Sequence, residues 1–279
     1  MKIGKDNLPI DFLPKRAKSY VVTIFKILKE NYGDRIVSMI IFGSSLTGDL
    51  CETSDCDLIC VMNDETDRKE IKEIRKMARD IAYKYGFFNK PNGFIERITH
   101  IMDNSTGMFI SLFVCRRSDF INLRFSKMFN VNGVMAKFLA PSNLVIGTVL
   151  NRCKLIYGEN LIEKVRQPKR FFIQLMKNMV LNLLVSIVSF IIYPFSPKAT
   201  KYEIEALKWS MLSSYYYING TRPSIEKICY YFINKGISKK YIANFKKLRE
   251  GFHQDIKFGL ATPLKIIQVH ILGLKYYSS

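Results

Sequence analysis

Two short apolar runs, Ile36–Phe42 (IVSMIIF) and Leu58–Met62 (LICVM), constrain this chain's fold more than any other feature. Each is nearly continuous, as suits a strand buried on both faces. The stretch between them, Gly43 to Ser54, is rich in Gly, Ser, Thr and Asp and reads as an elaborate connection. A helix from about Ala17 to Tyr32 precedes the first run, with Val21, Phe25, Leu28 and Tyr32 on one stripe and Gly33 as its stop. After the second run Thr66 or Asp67 can cap another helix, whose apolar face is Ile71, Ile74, Ala78, Ile81 and Tyr85 up to Gly86. Phe94–Met102 and Met108–Cys115 then read as two strands joined by a turn at Asp103–Gly107. Residues 1–120 are thus expected to form an α/β (α+β) domain on a small mixed sheet.

From Leu123 onward strand signals fade, and residues 121–279 read as an all-α helical bundle. Helices are expected up to about Tyr157, at Phe171–Tyr193, and around Tyr202–Asn219, Ser224–Asn234 and Lys240–Asp255. Between Lys177 and Lys198 no residue is charged, a length that alone could span a bilayer. Asn178, Asn182, Ser186, Ser189, Pro194 and Pro197 dilute the run, and basic residues flank both ends. The expectation is therefore a bundle helix buried on all sides, with a membrane-attached form using residues 178–197 as the weaker alternative.

Composition narrows the function. Three His and six Cys, with no C-x-x-C, leave little for a zinc module, so any metal should sit on carboxylates. Met1–Phe12 holds no long apolar run, so a secretory leader is not expected and the reading is cytoplasmic, with reduced cysteines. The net charge of +19 is uneven, since residues 166–279 carry 18 basic and only 5 acidic side chains. That half is suited to face something anionic, RNA among the candidates, although a solvated lysine-rich surface gives the same count.

The chemistry concentrates in Ile41–Met62. Gly43 allows close backbone approach to a triphosphate, and Ser44 adds a hydroxyl and an amide that can donate to phosphate oxygens. Asp55 and Asp57 stand two apart at a strand start, so both carboxylates project to one face and can share a metal, while Cys56 points away. Such oxygen ligands suit Mg²⁺ bridging to substrate phosphates. A simpler alternative is that the two Asp cap a turn. Gly43 and Gly48 have P-loop spacing, but Asp49 stands where that loop needs Lys.

Gly43-Ser44-x10-Asp55-x-Asp57, in strand–turn–strand order before a helix, resembles the signature of the DNA polymerase beta-like nucleotidyltransferase superfamily. Ser54–Met62 (SDCDLICVM) and the helical second half are similar to the minimal and aminoglycoside nucleotidyltransferases. The resemblance implies transfer of NMP from an NTP, ATP first among them, to an acceptor hydroxyl with release of pyrophosphate. It also implies Mg²⁺ on Asp55 and Asp57, phosphate binding by Gly43 and Ser44, and a helical second domain that selects the acceptor. The family places a third carboxylate on a later strand. Met108–Cys115 contains none, and Glu96 is the nearest substitute. Without a third acid, the chain would be a catalytically weak or inactive relative acting as an RNA- or partner-binding module.

Other residues carry weaker signals. His100 shares a strand face with Glu96, and Arg116-Arg117 could reach a phosphate. Cys51, Cys56 and Cys60 match no zinc spacing and read as small buried hydrophobes. Lysines interleaved with Tyr202, Trp209, Tyr215–Tyr217 and Tyr241 could stack on RNA, yet lysine-rich amphipathic helices look the same.

Overall fold

The computed structural model describes residues 2–3, 8–46, 56–87, 110–196 and 199–277. They fall into two compact units, one drawn from within Met1–Gly48, Ser54–Gly133 and Arg152–Gln167, the other chiefly from Val134–Asn151 and Pro168–Ser279.

The first unit holds five strands: β1 (Lys2–Ile3), β2 (Ile36–Phe42), β3 (Asp57–Met62), β4 (Leu112–Arg116) and β5 (Cys153–Glu159). Their order is β1-β5-β2-β3-β4. β3 and β4 run parallel while the other neighbours are antiparallel, so the sheet is small and mixed as expected. Alternation sends Met39 and Ile41 of β2 and Leu58, Cys60 and Met62 of β3 into one core. There they meet Tyr20, Val21, Ile24 and Leu28 of α1 (Lys15–Tyr32) and Ile71, Ile74, Ala78 and Ile81 of α2 (Arg68–Lys84). Asp67 caps α2 through a capping box: its carboxylate accepts from the Glu70 amide at 2.7 Å, and the Glu70 carboxylate accepts from the Asp67 amide at 3.0 Å.

The opposite sheet face is buried too. Phe113 of β4 packs against Phe42 and Phe129, near the short helices α3 (Arg117–Ile121) and α4 (Phe125–Met128). Arg75 of α2 pins this layer, donating to the carbonyls of Val114 and Lys127 and to Asn130 Oδ1. Burial holds its pKa down at about 10.

The strand β5 departs from the sequence reading, which carries helix to about Tyr157. Only Ile156 and Tyr157 of its seven residues are buried, so its apolar signal is weak, and its pairing with β2 is what makes it a strand. That pairing draws residues 153–159 into the first unit, so the chain does not divide at a single point near residue 120.

The second unit is helical, with α5 (Gly133–Phe138), α6 (Ser142–Leu150), α7 (Phe172–Ile192), α8 (Ala199–Asn219), α9 (Ile225–Asn234), α10 (Lys239–Glu250) and α11 (Ile256–Lys275). The helix buried along most of its length is α8, with 15 buried residues of 21, and both α7 and α11 pack on it. The sequence assigns that role to α7. Instead α7 buries its polar stripe, Asn178, Asn182, Ser186 and Ser189, and turns Val180, Leu184, Ile187 and Ile191 outward. Among the described residues it is the one helix long and apolar enough to cross a membrane. The sequence reading ends before α11, which carries Pro263 inside it. The Asp255 carboxylate caps α11 by accepting from the Phe258 amide at 2.9 Å.

Candidate functional site

The end of β2 and the start of β3 meet where the sequence points. Phe42 pairs with Asp57 in the antiparallel ladder, and the chain leaves β2 through a 3-10 turn, Gly43–Leu46. Gly43 has φ +83°, a conformation in which a side chain is strained. A Cβ built there would lie 2.3 Å from Asp57 Oδ2, so the carboxylate occupies the space that any other residue would fill. Ser44 follows within the same turn. Gly43, Ser44 and Asp57 thus come together at one end of the central strand pair. Asp55, Glu96 and His100 lie outside the described residues.

This end of the sheet is anchored from a distance. The Leu58 amide donates to the Ser111 carbonyl at 2.9 Å, and the Ser111 and Tyr20 hydroxyls share a buried hydrogen bond of 2.5 Å. Leu112 lies opposite Leu58, so the residues leading into β4 come alongside Asp57. β4 itself, Leu-Phe-Val-Cys-Arg, carries no carboxylate, in keeping with the sequence reading. The Ser111–Tyr20 tether joins residues 91 apart, and nothing local in the sequence announces it.

The residues present fit Mg²⁺. Asp57 offers a hard carboxylate oxygen at a strand end, over a backbone kept bare by glycine. Among the described residues no group of three His, Cys, Asp or Glu converges anywhere, and Asp57 is the one carboxylate described at this site.

Other candidates separate from this cluster. Arg116 lies opposite Met62, five residues along β3 from Asp57, which at strand rise is about 16 Å away. Its Nε donates to the Thr66 carbonyl at 2.7 Å, and Arg117 pairs with Glu159 at 3.1 Å, so both are engaged at the far end of the sheet. Cys56 and Cys60 are buried, and burial pushes the Cys60 thiol up to about 12, which makes it inert. Cys51 lies outside the described residues. In the helical unit Tyr216 and Tyr217 are buried, Tyr241 stacks on Phe258, and Trp209 and Tyr215 pack against the core. These rings stabilise the bundle and are not a free stacking platform.

Residues 21–96 match the family model described as a nucleotidyltransferase domain. The matched stretch spans α1, β2, the glycine turn, β3 and α2. The whole chain is similar in fold to spectinomycin adenyltransferase from Enterococcus faecialis, solved with ATP and spectinomycin. That likeness has a TM-score of 0.55 at 12% identity and covers 92% of this chain and 99% of the other. No curated protein matches the sequence. Residues 21–96 of the first unit are therefore similar to a nucleotidyltransferase domain, and the fold, a small mixed sheet with helices followed by a helical bundle, is like that of the spectinomycin adenyltransferase.

Proposed function

We propose that this chain is a Mg²⁺-dependent nucleotidyltransferase that moves a nucleoside monophosphate from an NTP, ATP first, to an acceptor hydroxyl. The acceptor oxygen bonds to the α-phosphorus, the bond to the β-phosphate breaks, and pyrophosphate leaves. The observation that carries this reading is the Asp57 carboxylate set over Gly43 at the strand end of a nucleotidyltransferase domain. In this scheme Gly43 and Ser44 present backbone amides to the β- and γ-phosphates. Asp57, with Asp55 two residues before it, holds Mg²⁺, which when bound neutralises charge on the phosphates. Glu96 is assigned either the deprotonation of the acceptor or a share of the metal. The helical unit is assigned the acceptor, and its excess of basic side chains favours one with negative charge, RNA included, over a cationic aminoglycoside.

A second reading, a nucleotidyltransferase fold that binds RNA or a partner without turnover, draws on the lack of a carboxylate in β4. One experiment separates them. Purified chain, Mg²⁺ and each NTP are incubated with extract, and pyrophosphate release and label transfer are followed in wild type, Asp55→Ala with Asp57→Ala, and Glu96→Gln. Transfer in wild type that disappears in the double variant supports the enzyme. Undiminished transfer in the double variant overturns the site, and Mg²⁺-independent RNA binding with no NTP affinity favours the second reading.

A further inference from the structure

The helical unit is built inside out along α7. Asn178, Ser186 and Ser189 of this helix face inward and bond to its neighbours, Ser189 by donating to the Ala199 carbonyl at 2.5 Å, while the buried Asn182 bonds back within the helix. Asn178 donates to Ser213 Oγ at 3.1 Å and bonds His270 Nε2 at 2.9 Å, Asn182 donates to the Asn178 carbonyl at 2.9 Å, and Ser186 donates to the buried Glu203 at 2.5 Å. Rotating α7 to hide its apolar side would break the bonds of Asn178, Ser186 and Ser189 to other helices, each loss costing about 1–3 kcal/mol. The apolar side is therefore fixed outward by the interior.

Its neighbour α11 does the same. Val180, Leu184, Ile187 and Ile191 of α7 recur at spacings of four, three and four residues, and all are exposed. Leu260, Leu264, Ile267, Ile271 and Leu274 of α11 recur at four, three, four and three, and are exposed as well. The two helices pack on each other, so the stripes lie on adjacent helices. No position in either stripe is charged. Aliphatic stripes of this period are seams that accept another helix.

We propose that these two stripes form a homodimer interface, in which a second copy of the chain lays its own α7 and α11 against them across a two-fold axis. The area suffices. With Ile173 and Phe190 at their margins, the stripes expose roughly 1,000 Å² of side chain, so a symmetric pair would cover about 2,000 Å², within the range of permanent dimers. The rim argues for a protein partner over lipid. Lys265 and Gln268 sit mid-helix on α11, only partly buried, bonded to each other at 2.9 Å. A lysine and a glutamine on the α11 flank of an aliphatic centre suit a protein interface, whereas hydrocarbon penalises a lysine at the middle of a helix. The contact is uncharged, so two strongly basic chains can meet there without opposed charges in the seam.

The test uses the full chain in detergent-free buffer, with mass measured by light scattering and sedimentation over a micromolar concentration series. The expected species has twice the 32.4 kDa of one chain. Leu184→Glu and Leu264→Glu, both at exposed positions, are expected to raise the dissociation constant at least about tenfold with unchanged circular dichroism. Ile187→Cys supplies a readout that needs no destabilising change: oxidation should yield a covalent dimer in wild-type background and none with Leu264→Glu. A monomer throughout the series overturns the proposal, as does a dimer indifferent to both glutamates. Monomeric binding to phosphatidylglycerol vesicles, lost in the same variants, overturns it in favour of a lipid-facing surface.

Discussion

Replacing Gly43 with alanine tests the site and its backbone in one experiment, because two separable costs meet there. The first is conformational. At φ +83° an L-residue costs about 1–2 kcal/mol relative to glycine. The second is the Cβ, which would stand 2.3 Å from Asp57 Oδ2, so the carboxylate must move by about an ångström to reach ordinary contact. Gly33 supplies the control. It has φ +46° with ψ −120°, a backbone region outside the left-handed helical well and strained for any L-residue, and a Cβ there meets nothing within 4 Å, so Gly33→Ala pays a conformational cost without the contact. Urea unfolding should place both Gly33→Ala and Gly43→Ala about 1–3 kcal/mol below wild type. Titration with Mg²⁺–ATP should then separate them. Gly33→Ala should bind as wild type does, whereas Gly43→Ala, with the proposed metal ligand Asp57 displaced, should lose about tenfold or more in affinity. Equal Mg²⁺–ATP affinity in the two variants would refute the claim that Asp57 works from its seat on Gly43.

Two further outcomes follow from the packing. Burial raises the Glu203 pKa to about 8 from its ordinary 4.5, so between those values the folded chain keeps a proton that the unfolded chain has lost. Stability from this group therefore falls as pH rises through that window. Glu203→Gln should melt increasingly above wild type between pH 5 and 8.5, and a constant offset would contradict this. Arg75→Met removes the donors to the Val114 and Lys127 carbonyls, and should cost about 2–3 kcal/mol in urea unfolding, while a loss under 0.5 would show those bonds to be dispensable.

What was legible in the sequence was local. The strands β2 and β3 announced themselves as apolar runs, and α1 and α2 as stripes with clear stops, because each pattern repeats within a few residues. The glycine turn and Asp57 were legible for the same reason, one ending a strand and the other starting the next. β5 was not, because its identity comes from pairing with residues more than a hundred positions earlier. The orientation of α7 was present but went unread. Asn178, Asn182, Ser186 and Ser189 stand at spacings of four, four and three, a single helical face, and composition alone could not say that this face points inward. α11 went unassigned, and Pro263 inside it weakens its local helix signal.

The place of β5 beside β2 has a consequence for how the protein is made. A ribosome delivers β2, the glycine turn, β3 and α2 early, but the neighbour that closes the other edge of β2 emerges only with Cys153–Glu159. Until then an apolar strand carries an open row of amides and carbonyls, a template for adding foreign strands. The nascent chain therefore passes through a window of about 110 residues, roughly 5–20 s of synthesis, in which its sheet is vulnerable. A fragment stopped at residue 120 never leaves that window, and should aggregate where one reaching residue 167 can close its sheet.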